Sequence, residues 1–160
     1  MHVQSRLQEL GLVLPEPIKV PAGVRLPFSF VRVRGDRAYV AGHGPQQPDG
    51  TLAGPFGTVG IDVTVEQAYA SARLTGLSIL GSLARALGDL DRITAWLRVF
   101  GMVKTHPGFG QEPAVINGCS DLILDVFGAE IGQHARSAVG LADLPFGMPV
   151  EIEAEVEIRP

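Results

Sequence analysis

The 160-residue sequence has few of the residues that form covalent cross-links or metal sites. It contains one cysteine, Cys119, which excludes an intrachain disulfide and a cysteine-based zinc site. No glycine-rich loop is followed by Lys and Ser or Thr, which excludes the common phosphate-binding motifs. The histidines lack a spacing that would set two of them on one metal ion, which favours structural or solvent-facing roles; they are His2, His43, His106 and His134. We therefore expect no metal and no organic cofactor.

Charge and hydropathy argue against two further classes of protein. Thirteen basic and seventeen acidic residues give a net charge of -4, which disfavours nucleic acid as a partner. The mean hydropathy is high at +0.22, yet no stretch approaches the ~20 apolar residues of a membrane span, so we expect no membrane association. The apolar surplus must then be buried in a core or in a subunit interface. The N-terminus lacks the order of a secretory signal, and with the lone cysteine this predicts a cytoplasmic protein.

Hydrophobic periodicity predicts a single domain over residues 1–160 with an α+β fold, in which one sheet carries two helices on the same face. Residues 1–22 are expected to be an extended lead-in, because prolines recur too closely there for a long helix. The following elements are a hairpin over 28–41, a long loop over 42–60, a helix over 64–88, a strand over 92–101, a helix from 112 or 113 to 127 that ends at Gly128, and two strands over 136–141 and 150–158. We expect the last two strands to pair as a hairpin.

The first helix has clear start and stop signals. Thr64 and Gln67 have the spacing of a capping box, and Gly88 is suited to the C-terminal end. Gly76 and Gly81 lower the helix propensity, so we expect one of them to lie where another element approaches closely.

Two charged residues in the last predicted hairpin are candidates for a site. Glu151 is the first of four glutamates on one face of the final strand, and Arg136 opens the partner strand. A carboxylate can act as proton acceptor for a water, while a guanidinium holds a carboxylate-bearing ligand. A solvated strand face and an ordinary surface ion pair explain the same pattern, and spacing alone leaves both interpretations open. Cys119 lies among apolar residues and is interpreted as a buried hydrophobe rather than a nucleophile.

Several ordered motifs together resemble the Rid/YjgF family, the reactive intermediate deaminases also labelled endoribonuclease L-PSP-like. Residues 134–140 (HARSAVG), Leu144-Pro145 and residues 150–154 (VEIEA) are similar to the family's C-terminal signature. Further similar stretches are Gly35 with residues 39–42 (YVAG), residues 88–93 (GDLDRI) and residues 109–117. The resemblance covers residues 23–158. The proline-rich lead-in and residues 116–122 (INGCSDL) resemble a longer, less characterised branch of the family.

The resemblance implies a chorismate-mutase-like subunit that assembles as a homotrimer with ligand clefts between neighbouring subunits. In the family, an arginine at the position of Arg136 grips the substrate carboxylate. A glutamate at the position of Glu151 helps to orient the water that hydrolyses an imine. An asparagine matching Asn117 borders the cleft, and the backbone beside Gly42 lines it.

Three positions depart from the better-known deaminases. Phe28 stands where they carry a tyrosine, Ala138 where they carry a cysteine, and Ala41 where a serine is usual. Phe28 and Ala138 are therefore expected to border the substrate with apolar surface only.

The resemblance implies hydrolysis of small enamine or imine compounds, such as 2-imino acids, to 2-oxoacids and ammonia. Arg136 and Glu151 are the expected catalytic pair, and a small carboxylate or imine is the expected ligand. An alternative is a binding module that holds a small carboxylate in the same cleft without turnover. A third interpretation, ribonuclease, follows from the family label, and the acidic composition with few aromatic residues gives it little support.

Overall fold

Three helices and five strands make up the computed structural model, which describes residues 2–160. The helices are α1 (Val3–Glu9), α2 (Val65–Leu87) and α3 (Glu112–Gly132). The strands are β1 (Val31–Arg34), β2 (Arg37–His43), β3 (Ile93–Lys104), β4 (Ala135–Leu141) and β5 (Val150–Ile158). Short 3-10 turns lie at Leu90–Arg92 and Pro145–Gly147.

The strands form one mixed sheet in the order β1-β2-β5-β3-β4, with α2 and α3 on one face. Every neighbouring pair is antiparallel except β3 and β4, which are parallel. Along the central strand β5, apolar and acidic residues alternate, and the apolar residues from Val150 to Ile158 are buried. This alternation fixes which side of the sheet meets the helices. The predicted α+β fold, with one sheet and two helices on one face, is confirmed, and α1 is an additional short helix.

The predicted hairpin between the last two strands is wrong. Strand β3 lies between β4 and β5, so the strand that Arg136 opens is at the edge of the sheet. The reason is the connection through α3: a strand, a crossover helix and a second strand form a parallel unit. Strand β4 therefore pairs with β3, and β5 fills the centre between β2 and β3.

The predicted signals at the ends of α2 are confirmed. Thr64 Oγ1 accepts a hydrogen bond from the Gln67 N–H at 3.1 Å, and Gln67 Oε1 accepts one from the Thr64 N–H at 2.9 Å. Gly88 follows the helix at φ 79°. The predicted end of α3 at Gly128 is only partly right, because Gly128 adopts φ 73° inside α3 and the chain resumes a short helical stretch to Gly132. Glycine accommodates that left-handed kink at little steric cost.

The lead-in over residues 1–22 is not extended throughout, because it begins with α1. Val3 and Leu7 of this helix are buried in the core, and the Val3 N–H donates to Asp91 Oδ1 at 2.7 Å. Tertiary packing therefore stabilises a helix that is too short to form by itself. Residues 12–22 have no regular structure and run beside the 42–60 loop, which is irregular as predicted except for its first two residues, where β2 ends. None of the helices within residues 2–160 is long and apolar enough to cross a bilayer.

Helices α2 and α3 approach each other closely through glycines. A Cβ at Gly118 would lie 2.0 Å from the Tyr69 carbonyl oxygen, and one at Gly76 would lie 2.7 Å from the Leu122 side chain. A Cβ at Gly81 would lie 3.1 Å from the Pro15 carbonyl oxygen. The predicted close approach at one of the two α2 glycines therefore occurs at both of them.

We expect Gly118→Ala to destabilise the protein by about 1–3 kcal/mol, because the added methyl meets backbone atoms of α2 that cannot move alone. In an open helix the same change would be stabilising, since alanine is the better helix former. Urea unfolding at fixed protein concentration measures the difference. Glu130→Ala, on the exposed face of α3, is the control and should change stability by less than about 0.5 kcal/mol. Equal stability of Gly118→Ala and wild type would contradict the packing.

Candidate functional site

Arg136 lies on the edge strand β4 and is held by polar groups of α3. Its Nη1 donates to Asn117 Oδ1 at 2.8 Å and to Ser120 Oγ at 3.1 Å, and its Nη2 donates to the Pro113 carbonyl at 3.4 Å. All three partners are neutral. Within residues 2–160, Arg136 forms no salt bridge. The guanidinium is therefore oriented while its charge remains available to an anion.

A second contact fixes the orientation of Ser120. His134 Nδ1 lies 2.7 Å from the Gly132 carbonyl, which can only accept, so this nitrogen carries the proton. His134 Nε2 lies 2.9 Å from the Ser120 hydroxyl, whose oxygen accepts from Arg136. His134 is thus a positioning residue for the guanidinium. We call Arg136, Asn117, Ser120, His134 and Ala138 the arginine cluster.

Ser120 and His134 are members of the cluster that were not predicted from the sequence. Two signals were available in the sequence. His134 precedes Arg136 by two residues, the spacing that places side chains on the same side of an extended chain. Ser120 follows Asn117 by three residues, which places both on one side of a helix.

Glu151 lies on β5, on the sheet face that points away from α2 and α3. Its side chain is half-buried against Gly42, and a Cβ at Gly42 would lie 2.8 Å from Glu151 Oε2. Glycine at this position therefore leaves space for the carboxylate. Burial raises the pKa of Glu151, and the negative charge of Glu153 raises it further. A carboxylate with a raised pKa is a better proton acceptor than an exposed one.

A cavity of about 680 Å³ adjoins Glu151. Of the predicted site residues, Glu151, Gly42 and Phe28 line it, whereas Arg136, Asn117 and Ala138 do not. We call this cavity the glutamate pocket. The ring of Phe28 is 53% exposed and lies 5.3 Å from that of Phe30 in an edge-to-face arrangement.

Arg136 and Glu151 point to opposite faces of the sheet, although the glutamate pocket also reaches Ser82, Arg85 and Ala86 of α2. Arg136 is paired with Val99, which is fully buried beneath the helices, so Arg136 and Ala138 lie on the helix side. Glu151 is paired with Met102, three residues further along β3, and therefore lies on the other side. Within one chain the predicted catalytic pair is not brought together.

Burial determines the ionisation states of two other side chains, Cys119 and His43. Cys119 is fully buried, and burial raises its pKa to about 12, so its thiol is not a nucleophile near neutral pH. His43 is buried beside the glutamate pocket, where burial lowers its pKa to about 4 and keeps it neutral. Its Nδ1 lies 2.6 Å from the Ala41 carbonyl and its Nε2 lies 2.8 Å from Ser82 Oγ. Within residues 2–160, no three His, Cys, Asp or Glu side chains are grouped to hold a metal ion.

Comparison with known proteins identifies the family that this chain resembles and two similar proteins. Residues 4–149 match the family described as "YjgF/chorismate mutase-like, putative endoribonuclease". The chain is 39% identical over 160 residues to Protein TCP17 of Trypanosoma cruzi, covering 99% of this chain and 95% of that protein. The crystal structure of Atu1372 from Agrobacterium tumefaciens, a protein of unknown function, is also 39% identical, with a TM-score of 0.85 and coverage of 98% and 91%.

A more distant structure shares the fold. RidA from the Antarctic bacterium Psychrobacter sp. is 22% identical, with a TM-score of 0.57 and coverage of 89% of this chain and 99% of that one.

We expect the pKa of Glu151, measured by carboxyl-carbon NMR titration, to lie above the ordinary glutamate value of about 4.5. Glu153→Gln removes the nearby negative charge and should lower that pKa. Glu157→Gln removes the same charge further along the strand and is the control, which should leave it unchanged. Since the folded-state pKa is raised, ionisation of Glu151 costs stability as the pH rises through it, and Glu151→Gln should abolish that loss. A Glu151 pKa at or below 4.5 would contradict the burial of its carboxylate.

Proposed function

This chain belongs to the YjgF/chorismate mutase-like family, and on that premise we propose that it hydrolyses small reactive 2-imino acids to 2-oxoacids and ammonia. The observation that carries the proposal is the presence in the chain of two groups suited to this reaction. One is an oriented guanidinium without a charged partner, Arg136, and the other is a half-buried carboxylate with a raised pKa, Glu151.

We further propose that the reaction takes place between subunits of a homotrimer. Arg136 and Glu151 lie on opposite faces of the sheet in one chain, so one substrate can meet both only if a second copy contributes one of them. A cyclic assembly in which each copy offers both halves yields one complete cleft for every interface.

In the proposed reaction, Arg136 binds the substrate carboxylate and holds the imine carbon beside Glu151. Because the imine carbon is already a reactive electrophile, holding it in this position accounts for much of the rate acceleration. Glu151 accepts a proton from a water as the water oxygen forms a bond to the iminium carbon. Glu151 then passes this proton to the nitrogen. The C–N bond breaks as Glu151 transfers the hydroxyl proton of the intermediate to the departing ammonia, and the 2-oxoacid and an ammonium ion leave. Phe28 and Ala138 border this cleft with apolar surface.

The second candidate function is binding without turnover. Phe28 lacks a phenol and Ala138 lacks a thiol, so the cleft offers fewer groups that could move a proton. A protein of this kind would retain a 2-oxoacid or a related carboxylate and release no ammonia. Ribonuclease activity is a third possibility, and incubation with RNA at low salt tests it.

We expect wild-type protein to accelerate ammonia release from the imine that an amino-acid oxidase produces from alanine. Glu151→Gln should reduce kcat/KM on the order of 100-fold or more, because a positioned general base contributes about 10²–10⁴-fold. Glu153→Gln, the next glutamate on the same face, is the matched control and should retain most of the activity. Wild-type ammonia release no faster than in buffer would reject the proposed reaction, and tight retention of the 2-oxoacid would then favour the binding function.

The shared cleft has its own test. Arg136→Ala and Glu151→Gln should each be inactive alone, while co-expression of the two should restore activity. Random assembly gives about a quarter of the clefts an intact arginine from one subunit and an intact glutamate from its neighbour. Co-expression of Arg136→Ala with the double variant Arg136→Ala/Glu151→Gln is the control and should restore nothing. No recovery in the first mixture, in assemblies of wild-type size, would contradict a shared cleft.

A further inference from the structure

One wall of the glutamate pocket is formed by the N-terminal lead-in. Ile18 and Val20 of the lead-in line the cavity, together with Leu26 just after it, and Glu151 and Gly42 contribute to another part of its lining. The volume of about 680 Å³ falls within the range of about 300–1,000 Å³ found for sites that enclose ligands of many atoms. A methyl-bearing imine would leave most of this space unfilled.

The lead-in is attached to the body of the protein by backbone hydrogen bonds. The Glu16 N–H donates to the Pro48 carbonyl at 2.9 Å, and the Lys19 N–H donates to the Gly50 carbonyl at 2.9 Å. Gly50 has φ 89°, and a Cβ there would lie 2.2 Å from the Pro17 carbonyl oxygen. The segment is therefore packed against the 42–60 loop at backbone distance.

A side chain of α2 adds a further attachment. Arg85 Nη1 donates to the Pro15 carbonyl at 3.0 Å, and its Nη2 donates to Ser82 Oγ at 3.2 Å. Ser82 in turn lies 2.8 Å from His43 Nε2. These polar groups at the pocket satisfy one another, and His43 is neutral because burial lowers its pKa to about 4.

The rest of the lining is largely apolar. Besides Ile18, Val20 and Leu26, the apolar part of the lining includes Phe28, Phe30, Phe146 and Met148. The Phe30 ring lies 5.3 Å from that of Phe28 and 5.0 Å from that of His43, both in edge-to-face contact. The part of the pocket that these residues line favours an apolar ligand group, since a charge placed among them would lose its hydration without a charged partner beside it; the charged side chains of the lining, Arg85 and Glu151, lie elsewhere in it.

We propose that the 2-imino acid hydrolysed by this protein carries a bulky apolar side chain, aromatic or branched aliphatic, which the lead-in encloses beside Glu151. This inference rests on the proposed function and adds the substrate class to it. The reacting carbon lies at the Glu151 end of the pocket, and the side chain extends toward Ile18 and Leu26. Enclosing a side chain of that size improves kcat/KM on the order of 10- to 100-fold over a methyl group.

The test compares imines that an amino-acid oxidase produces from phenylalanine, leucine and alanine. Wild-type protein should show kcat/KM on the order of 10- to 100-fold higher for the first two than for the third. Ile18→Trp fills the pocket from the lead-in side and should reduce that ratio at least several-fold. Ile61→Trp places the same bulk at a position that is 70% exposed and outside the pocket, and should preserve the ratio. The wild-type ratio needs no variant, so a folding defect in Ile18→Trp leaves the test decisive.

Binding of the products separates failure of this inference from failure of the proposed reaction. Titration calorimetry with phenylpyruvate and pyruvate should show tighter binding of phenylpyruvate, which Ile18→Trp weakens. If no imine is hydrolysed but phenylpyruvate still binds more tightly than pyruvate, the proposed reaction is wrong and the proposed ligand class is supported. If all three imines are hydrolysed with equal kcat/KM and the two oxoacids bind equally, the ligand class is overturned and the reaction stands.

Discussion

The alternation of side chains across the five-stranded sheet is the constraint on which the candidate site depends. It turns the acidic residues of β5 away from the helices and turns Arg136 on β4 toward α3. Each chain thus carries the oriented guanidinium of Arg136 and the half-buried carboxylate of Glu151 on opposite faces of the sheet. The proposed shared cleft follows from this geometry, because a change of rotamer cannot move a side chain through the sheet.

Local signals in the sequence predicted the local structure well. The capping box at Thr64 and the glycine after α2 act within one helical turn, and the alternation along β5 is a property of nine consecutive residues. Strand pairing was harder to predict, since it depends on contacts between distant segments. Even so, the order of β3, α3 and β4 contained the signal for a parallel crossover, which the hairpin interpretation overlooked. Helix α1 was missed because its stability comes from burying Val3 and Leu7 in the core.

The sequence identified those residues of the candidate site whose own charge carries the proposed chemistry. Arg136 and Glu151 stood out through charge and resemblance, whereas Ser120 and His134 act by orienting another side chain. These roles can be recognised only in the folded chain, where α3 and the residues at the start of β4 come together. The contribution of the lead-in was hidden for a similar reason: its prolines indicate extended chain, and nothing local indicates which cavity that chain will cover.

The attachment of the lead-in to the 42–60 loop has an evolutionary consequence. The groups proposed to perform the chemistry are on the sheet and α3, whereas Ile18, Val20 and Leu26 belong to segments that precede β1. In the proposed function, reactivity and substrate selectivity therefore depend on separate parts of the chain. A substitution at Ile18, Val20 or Leu26 changes the shape of the pocket and leaves Arg136 and Glu151 in place, so relatives that accept different side chains should differ most in these segments.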